Sequence, residues 1–179
     1  MLKQKIREQI KKRKSLSSKD ERERQSRNAL RHLEEHTRFR QAKTVLLYYA
    51  LPDEIDTTEF LRKWSTTKQI CLPVVDGENL RIKRYQSEQQ LREGAFHILE
   101  PSDTYEVPLS DIELAVIPGV AFDRNGNRLG RGKGFYDRLF SSSDDQKNIY
   151  KIGICFDFQM IEQLPVMPHD IRMDEVITG

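Results

Sequence analysis

The sequence contains no apolar run long enough to cross a membrane, since no segment approaches the roughly 20 apolar residues that a spanning helix needs. Its charged first residues are not followed by an apolar stretch, so we expect no secretory signal. Only two cysteines occur, Cys71 and Cys155, and both lie in apolar segments without the spacing of a metal site. These absences predict a cytoplasmic protein with buried thiols rather than disulfides.

The sequence also lacks a strong net charge of either sign. Its 30 lysines and arginines face 28 acidic residues, and the net charge of +2 is too small to predict nucleic-acid binding by the whole chain. The charge is nevertheless uneven, because seven cations between Lys3 and Lys14 are opposed only by Glu8. Two interpretations of this segment stay open: an arm that binds RNA or a membrane surface, and a solvated helix face.

Segments with helical periodicity alternate with short apolar segments along the 179 residues, and no repeat, low-complexity block or long linker interrupts them. Helices are predicted at residues 2–14, 19–35, 57–64 and 135–140. Ser18 and Glu21 stand at capping-box spacing at the start of the second helix. Strands are predicted at residues 44–49, 69–74, 80–85, 94–98, 114–117, 151–156 and, as an edge strand, 175–178. A flexible loop is predicted at residues 141–147.

This alternation predicts a single α/β domain in which helices cover both faces of a mostly parallel sheet. Ligands of such folds bind where loops leave the carboxyl ends of the strands. Three segments with chemically active side chains fall at such ends, namely residues 51–56, residues 119–134 and Asp157. We therefore expect the functional site at this edge of the sheet.

Residues 117–138 hold the most informative pattern of the chain. Gly130, Gly132 and Gly134 alternate with Arg131 and Lys133, between an apolar strand and a helix. Glycine allows a positive φ and a close approach of the backbone to a ligand, while the two cations supply charge for an anion. The pattern predicts a phosphate-binding loop assisted by the first N–H groups of the following helix. The alternative is a solvated turn.

This loop fits neither of two common phosphate-binding motifs. The loop of the common nucleoside triphosphatases requires Ser or Thr after its lysine, whereas Gly134 follows Lys133 here. The dinucleotide fingerprint requires a small residue three positions after Gly132, where this chain has Phe135. A different phosphate-binding family is therefore indicated.

The run Gly-Asn-Arg-Leu-Gly-Arg-Gly-Lys-Gly-Phe-Tyr-Asp at residues 126–137 resembles the signature of 5-formyltetrahydrofolate cyclo-ligases, also called methenyltetrahydrofolate synthetases. The similarity extends to both ends of the chain, at Lys3 and Arg7, Asp53-Glu54-Ile55-Asp56, His169-Asp170 and Met173-Asp174-Glu175-Val176. The resemblance implies a single Rossmann-like, three-layer α/β/α domain over residues 1–179 with a mixed sheet. It also implies ATP-dependent cyclisation of 5-formyltetrahydrofolate to 5,10-methenyltetrahydrofolate with release of ADP and phosphate, and Mg²⁺ as a cofactor.

The resemblance implies a role for each matching residue. Arg131 and Lys133 are the expected catalytic cations, which face the β- and γ-phosphates of ATP while the formyl oxygen is phosphorylated. The expected ATP-binding residues are Lys3, Arg7, Arg128, Leu129, Gly130, Arg131, Gly132, Lys133, Gly134, Phe135 and Tyr136. The expected folate-binding residues are Tyr49, Glu54, Arg131, Gly132, Lys133, Gly134 and Phe135.

The resemblance implies Asp137 and Asp170 as magnesium ligands, with His169 beside Asp170 either as a structural residue or as a residue that supports this metal ligand. A carboxylate directly after a phosphate loop repels the phosphate unless a divalent cation lies between them, so Asp137 is a candidate on chemical grounds. Its pairing with Asp170 comes from the resemblance alone. The alternative for Asp137 is a carboxylate that stabilises the start of its own helix.

Glu54 is expected to bind the N–H and amino groups of the pterin, as carboxylates bind guanidine-like edges. For Tyr49 and Tyr136 the alternative is core packing, and for Arg128 it is a role in bracing the loop. Phe135 departs from the frequent Gly-Tyr-Tyr-Asp version of the motif, which removes a hydroxyl group and leaves aromatic stacking.

Lys3 and Arg7 stand four residues apart on one face of the first helix and are expected to fold over the nucleotide. A helix anchored mainly by its ligand is expected to be mobile without it. The cations at residues 11–14 are then ordinary solvated charges.

Two other functions stay open. A small-molecule kinase would use the same phosphate loop and Mg²⁺, with Asp53, Glu54 or Asp56 as the base for a hydroxyl acceptor. A non-enzymatic RNA-binding module would use the basic amino terminus, although the chain has no recognisable RNA-recognition motif. The cyclo-ligase interpretation predicts a monomer that binds ATP and a folate, with or without a polyglutamate tail, and binds neither nucleic acid nor membranes.

Overall fold

A mixed sheet lies at the centre of the structure, a computed structural model that describes residues 2–102, 105–141 and 149–179. In these ranges the sheet has six strands, in the order β11 (Glu175–Thr178), β9 (Tyr150–Cys155), β6 (Leu114–Ile117), β1 (Thr44–Leu46), β2 (Gln69–Asp76) and β3 (Asn79–Arg84). All neighbours run parallel except β2 and β3, which form an antiparallel hairpin. The prediction of a mostly parallel sheet is confirmed, as is the edge strand at its end.

Side chains along these strands alternate between two apolar cores, because successive residues of a strand point to opposite faces. On β1, Val45 belongs to one core and Leu46 to the other. On β6, Val116 and Ile117 divide in the same way. Both faces of the central strands are therefore buried, and their sequences are continuous apolar runs, as is typical of parallel sheets.

Three helices cover one face of the sheet: α2 (Lys19–Glu35), α3 (Thr37–Gln41) and α4 (Thr58–Trp64). Phe39 of α3 contacts Trp64, the only tryptophan of the chain, edge to face, with ring centroids 5.0 Å apart. The start of α2 is capped as predicted, since Ser18 Oγ accepts a hydrogen bond from the Glu21 N–H at 3.1 Å. The second half of the capping box does not form, because the Glu21 carboxylate binds Arg24 instead.

The opposite face is covered by a small sheet, a short helix and loops. The small sheet consists of β7 (Ala121–Asp123), β8 (Arg128–Leu129) and β10 (Met160–Ile161). Phe122 of this sheet packs into the second core together with Phe140 and Met173. The short helix, α5 (Phe135–Leu139), has only five residues. Loops therefore contribute much of this layer.

The first helix, α1 (Leu2–Leu16), packs on the small sheet. Its Ile6 and Ile10 are buried in a third apolar cluster. Arg13 donates to the carbonyl oxygens of Phe158 and Met160, both at 3.3 Å. The expectation of a helix anchored mainly by ligand is therefore wrong, because protein contacts along its length hold it to the domain.

The cations at the end of α1 differ from one another. Lys11 and Lys12 are exposed, as expected for solvated charges. The expectation is wrong for Arg13, because of its two carbonyl contacts. It is also wrong for Lys14, whose Nζ lies 3.2 Å from Asp53 Oδ2.

One predicted element is wrong and another is too long. Residues 94–98 do not form a strand but carry a 3-10 turn between the paired strands β4 (Leu91–Glu93) and β5 (Leu99–Pro101). Phe96 and His97 both have a φ of 59°, a left-handed conformation that a strand does not contain. The strand β1 ends before Tyr48, whose carbonyl oxygen accepts a hydrogen bond from the Thr57 hydroxyl rather than from a neighbouring strand. The loop predicted at residues 141–147 lies, from residue 142 on, outside the described residues.

Both cysteines are buried free thiols, as predicted. Burial raises the pKa of Cys71 to about 12 and also raises the pKa of Cys155. Within the described ranges, no helix combines the length and the apolar composition that a membrane crossing requires.

Loops from the carboxyl ends of β1 and β6 meet at one edge of the sheet and line a common cavity. Asp157, which follows β9, does not join them. Its backbone N–H instead donates to Gln25 Oε1 at 2.8 Å, and its side chain is exposed. Two of the three predicted loops thus form the candidate site, and the inclusion of Asp157 is wrong.

Candidate functional site

A cavity of about 700 Å³ lies where these loops meet. It is bounded by α1, by the loop after β1, by the glycine loop (residues 126–134) and by the segment that precedes β11. Its lining includes all the residues assigned from the sequence, which are Lys3, Arg7, Tyr49, Glu54, Arg128, Leu129, Gly130, Arg131, Gly132, Lys133, Gly134, Phe135, Tyr136, Asp137 and Asp170. The fold therefore brings together residues from both ends of the chain.

The described lining of this cavity carries more cations than carboxylates. Six of its side chains are Lys or Arg, whereas three are Asp or Glu. Cations grouped around a partly enclosed space raise the local concentration of anions and strengthen their binding. The cavity is thus suited to ligands with several negative charges.

The glycine loop needs its glycines for two different reasons. Gly132 has a φ of 103° and Gly134 a φ of 68°, conformations that other residues rarely adopt. Gly130 has no such φ, but a Cβ atom there would lie only 3.1 Å from the guanidinium group of Arg128. The second half of the loop therefore turns through two left-handed residues and lies directly on a buried cation.

Arg131 is held by the loop that follows β1. Its NH2 group donates to Asp53 Oδ1 at 2.7 Å and to Glu54 Oε1 at 3.1 Å. Burial alone would lower the pKa of Arg131, but the hydrogen bond to Asp53 and the charge of Glu54 outweigh it and raise the pKa. Two cavity loops are thus joined through one guanidinium nitrogen.

Glu54 is the more buried of the two carboxylates, with only 10% of its side chain exposed. Its Oε2 accepts a hydrogen bond from the Leu51 N–H at 2.9 Å. Burial raises the pKa of Glu54, and the Leu51 N–H and the Arg131 charge only partly offset this. In Asp53 the balance is reversed, because Arg131 and Lys14 outweigh burial and lower its pKa. Folding therefore shifts the pKa values of these two neighbouring carboxyl groups in opposite directions.

Lys133 differs from the other cations of the cavity. Its Nζ lies over the ring of Phe96, 5.2 Å from the centroid, and has neither a hydrogen bond nor an ion pair with any described residue. The side chain of Lys133 is exposed at the cavity surface. A cation–π contact of this kind holds the chain loosely and leaves its three N–H donors available.

Arg128 lies beneath the glycine loop with 5% of its side chain exposed. Its NH1 donates to the Pro118 carbonyl at 3.0 Å, and its guanidinium group stacks on Tyr136, 5.3 Å from the ring centroid. Burial lowers the pKa of Arg128, although Asp137, at 3.7 Å from NH2, partly offsets this. No described residue accepts a hydrogen bond from the buried Nε. These contacts favour bracing of the loop by Arg128.

The amino-terminal helix contributes two cations. Lys3 Nζ forms an ion pair of 2.5 Å with Asp170 Oδ2, and Arg7 Nε donates to the Gly130 carbonyl at 3.0 Å. Burial alone would raise the pKa of Asp170, but Lys3 and the Met167 N–H outweigh it and lower the pKa. Both ends of the chain therefore close the same side of the cavity.

Asp137 and Asp170 form a sparse donor set for a metal ion. The described residues contain no group of three or more His, Cys, Asp or Glu side chains that would enclose a cation. Asp137 Oδ1 accepts from the Ile171 N–H at 3.1 Å, and no described residue donates a hydrogen bond to its Oδ2. Mg²⁺ is commonly bound by one or two carboxylates together with substrate phosphates and water, so two carboxylates fit this ion.

The apolar wall of the cavity was not predicted from the sequence. It includes Phe96, which is half exposed and contacts Phe135 edge to face with ring centroids 6.1 Å apart. Pro73 and Leu99 extend this wall. The sequence predicts a strand at residues 94–98, and nothing in this segment indicates that the Phe96 ring faces the glycine loop.

The comparisons with known proteins agree with one another. The model of the 5-formyltetrahydrofolate cyclo-ligase family matches residues 1–179. The 5-formyltetrahydrofolate cyclo-ligase of Haemophilus influenzae is 32% identical over 146 residues, which cover 78% of each chain. That of Escherichia coli strain K12 is 35% identical over 143 residues, with 76% of this chain and 78% of the relative covered. The solved structure of 5,10-methenyltetrahydrofolate synthetase from Aquifex aeolicus is 34% identical, with a TM-score of 0.88 over 99% of this chain and 89% of that one.

Proposed function

This chain belongs to the 5-formyltetrahydrofolate cyclo-ligase family, and we propose that the cavity beside the glycine loop is where its two substrates react. The chain is an ATP-dependent ligase that converts 5-formyltetrahydrofolate to 5,10-methenyltetrahydrofolate, with ADP and phosphate as the other products. Family membership does not favour the small-molecule kinase.

The reaction has one chemical difficulty, which is that the formyl oxygen is a poor leaving group. Transfer of the γ-phosphoryl group of ATP to this oxygen forms a phosphate ester, and the oxygen then leaves readily as part of phosphate. The N10 nitrogen then attacks the formyl carbon, loses its proton, and closes the ring as phosphate departs. The protein has to align the γ-phosphate with the formyl oxygen and to stabilise the charge during transfer.

Lys133 is assigned to the transferring phosphoryl group. The observation that carries this assignment is the contrast between Lys133, which has no polar partner among the described residues, and Lys3 and Arg131, which are both ion-paired. An ammonium group on a flexible stem can follow the phosphoryl group from ATP to the acceptor oxygen. Stabilisation of this charge by a positioned cation is a large contribution to catalysis.

Arg131 is assigned to the equatorial oxygens of the same phosphoryl group. Its NH2 is bound by Asp53 and Glu54, and no described residue accepts from its Nε or NH1. The planar guanidinium group therefore keeps donors for a second partner in the cavity. Lys3 and Arg7 are assigned to the remainder of the ATP phosphates, because both lie on the face of α1 that lines the cavity.

Asp137 and Asp170 are assigned to Mg²⁺. When bound, this ion neutralises the charge between the ATP phosphates and the two carboxylates. Arg128 holds the Asp137 side of the site from beneath the loop. Lys3 holds Asp170 until ATP binds, so a change of partners at Asp170 accompanies nucleotide binding in this proposal.

The folate is assigned to the side of the cavity that faces Glu54 and Tyr49. Glu54 carries acceptor oxygens for the pterin N–H and amino groups, and its burial strengthens such bonds. Phe96 and Phe135 provide aromatic faces for the ring system of the substrate. Both substrates then meet at the glycine loop, between Lys133 and Arg131.

We further propose a monomer in the cytoplasm that accepts folates with or without a polyglutamate tail. The two free thiols are typical of proteins from a reducing compartment, which supports the location.

The assay that tests the function follows the absorbance of the methenyl product from 5-formyltetrahydrofolate, with ATP and Mg²⁺ present or omitted singly. Product is expected only with both. If ADP is instead released without the methenyl chromophore, and only with a sugar or nucleoside as acceptor, the cavity serves a kinase.

A further inference from the structure

Asp53 belongs to the loop after β1 but does not line the cavity. Its two oxygens have different partners, since Oδ1 accepts from Arg131 NH2 at 2.7 Å and Oδ2 lies 3.2 Å from Lys14 Nζ. Its contacts nevertheless place it directly behind a cation of the reaction.

The geometry at Arg131 limits where its free donors point. Asp53 and Glu54 both bind the same NH2 group, and Glu54 is itself fixed by the Leu51 N–H. A planar guanidinium group bound at one corner by two carboxylates cannot rotate freely. The directions of its remaining Nε and NH1 donors are therefore restricted as well.

Lys14 has a separate electrostatic effect. Two carboxylates beside Arg131 would otherwise leave a negative charge where the ATP phosphates bind. Lys14 neutralises the second oxygen of Asp53 from the end of α1, outside the cavity lining. Asp53 can therefore hold Arg131 without repelling the nucleotide.

We propose that Asp53 is a positioning residue for phosphoryl transfer, which acts by orienting Arg131. This inference rests on the role proposed above for Arg131. Because these side chains are a third to a half exposed, their ion pair contributes little to folding stability. Asp53 instead affects the orientation of the reacting groups, so its removal is expected to lower kcat.

A double-mutant cycle tests this inference through kcat and the KM of each substrate. Asp53→Ala is expected to lower kcat on the order of tenfold, while both KM values stay within about threefold of wild type. Asp53→Asn, which keeps an oxygen for Arg131 NH2, is expected to recover part of the loss. In an Arg131→Ala background, Asp53→Ala is expected to lower kcat by no more than about twofold, because its partner is already absent.

Two matched variants separate orientation from charge. Asp56→Asn removes one negative charge from the same exposed loop and keeps the Oδ1 that binds the Thr58 N–H. Lys14→Gln removes the other partner of the Asp53 carboxylate. Both keep the contact between Asp53 Oδ1 and Arg131, so kcat is expected to stay within about twofold of wild type. Lys14→Gln, which leaves the charge of Asp53 uncompensated, is expected to raise only the KM for ATP.

Three results would overturn the inference. The first is a normal kcat for Asp53→Ala, and the second is a full tenfold loss from Asp53→Ala in the Arg131→Ala background. The third is a loss for Asp56→Asn as large as that for Asp53→Ala, which would show that only the charge of the loop matters. A normal kcat for Arg131→Ala alone would instead contradict the role proposed for Arg131, so the two failures are distinguishable.

Discussion

Lys3 Nζ lies 2.5 Å from Asp170 Oδ2, although the two residues are 167 positions apart in the chain. The first turn of α1 is thereby bound to the loop that carries a candidate metal ligand. Each member of this pair is assigned to the ATP side of the cavity. If both assignments hold, nucleotide binding rearranges this ion pair.

Lys3→Gln is expected to raise the KM for ATP about tenfold and to leave the KM for the folate nearly unchanged, because a phosphate contact is lost. Lys5→Gln is the matched control, since Lys5 is an exposed cation on the same helix. Initial rates at varied ATP measure both. Equal effects of the two variants would mean that only the net charge of α1 matters.

Lys133→Ala is expected to lower kcat by about two orders of magnitude or more, because charge stabilisation at the transferring phosphoryl group is lost. Its thermal unfolding should be unchanged, since the Nζ group has no polar partner in the described structure. Turnover in the absorbance assay and circular dichroism on the same sample measure both. Turnover close to wild type would remove Lys133 from phosphoryl transfer.

Asp137→Asn is expected to raise the Mg²⁺ concentration required for half-maximal activity about tenfold or more. The amide oxygen can still accept from the Ile171 N–H, so the local fold should persist. A magnesium titration at saturating ATP measures the shift. A titration identical to that of the wild type would leave Asp137 with the helix-stabilising role alone.

Glu54→Gln is expected to remove a pH dependence of the folding stability. The pKa of Glu54 is raised by burial, so the folded protein holds this proton more tightly than the unfolded chain does. Its contribution to stability is then fully present below the unfolded value of 4.5 and is lost as pH rises through the folded pKa. Thermal unfolding should show that the Tm of the wild type, relative to that of the variant, is lower at about pH 7.5 than at about pH 4.

Asp53→Asn is the control for that experiment, because the pKa of Asp53 is shifted in the opposite direction. Its pKa is lowered by Arg131 and Lys14 against the effect of burial, so its contribution is present above 3.8 and is lost as pH falls through the folded pKa. This variant should therefore have a slightly lower Tm near neutral pH, because the partly exposed ion pair contributes little to stability. Glu54→Gln should also weaken folate binding more than ATP binding. Equal losses for both substrates, or a Tm difference that does not change with pH, would make Glu54 a structural residue.

The parts of the site that were predictable from the sequence are local in the chain. The glycine loop could be inferred because its glycines and cations are adjacent and because an apolar strand precedes them. The central strands were predictable since both of their faces are buried, which produces uninterrupted apolar runs. The metal pair was assigned through the resemblance, because nothing in local periodicity relates Asp137 to Asp170.

The parts that were not predictable depend on contacts between distant segments. Lys14 lies in the same basic segment of the sequence as Lys11 and Lys12. Only the position of Asp53 in the fold distinguishes it from them. Phe96 adopts a left-handed conformation that no glycine announces, so its segment was assigned to a strand. The hydrogen bonds from Arg131 to Asp53 and Glu54 likewise join residues that are 78 and 77 positions apart in the chain.

The packing of Trp64 against Phe39 and Phe60 has a practical consequence. The indole is the only one in the chain and belongs to α4, and it is not among the residues that line the cavity. Its fluorescence emission should therefore follow the integrity of the helical layer and respond little to substrates. The absorbance of the methenyl product reports turnover in the cavity. One unlabelled sample therefore gives separate optical signals for folding and for catalysis.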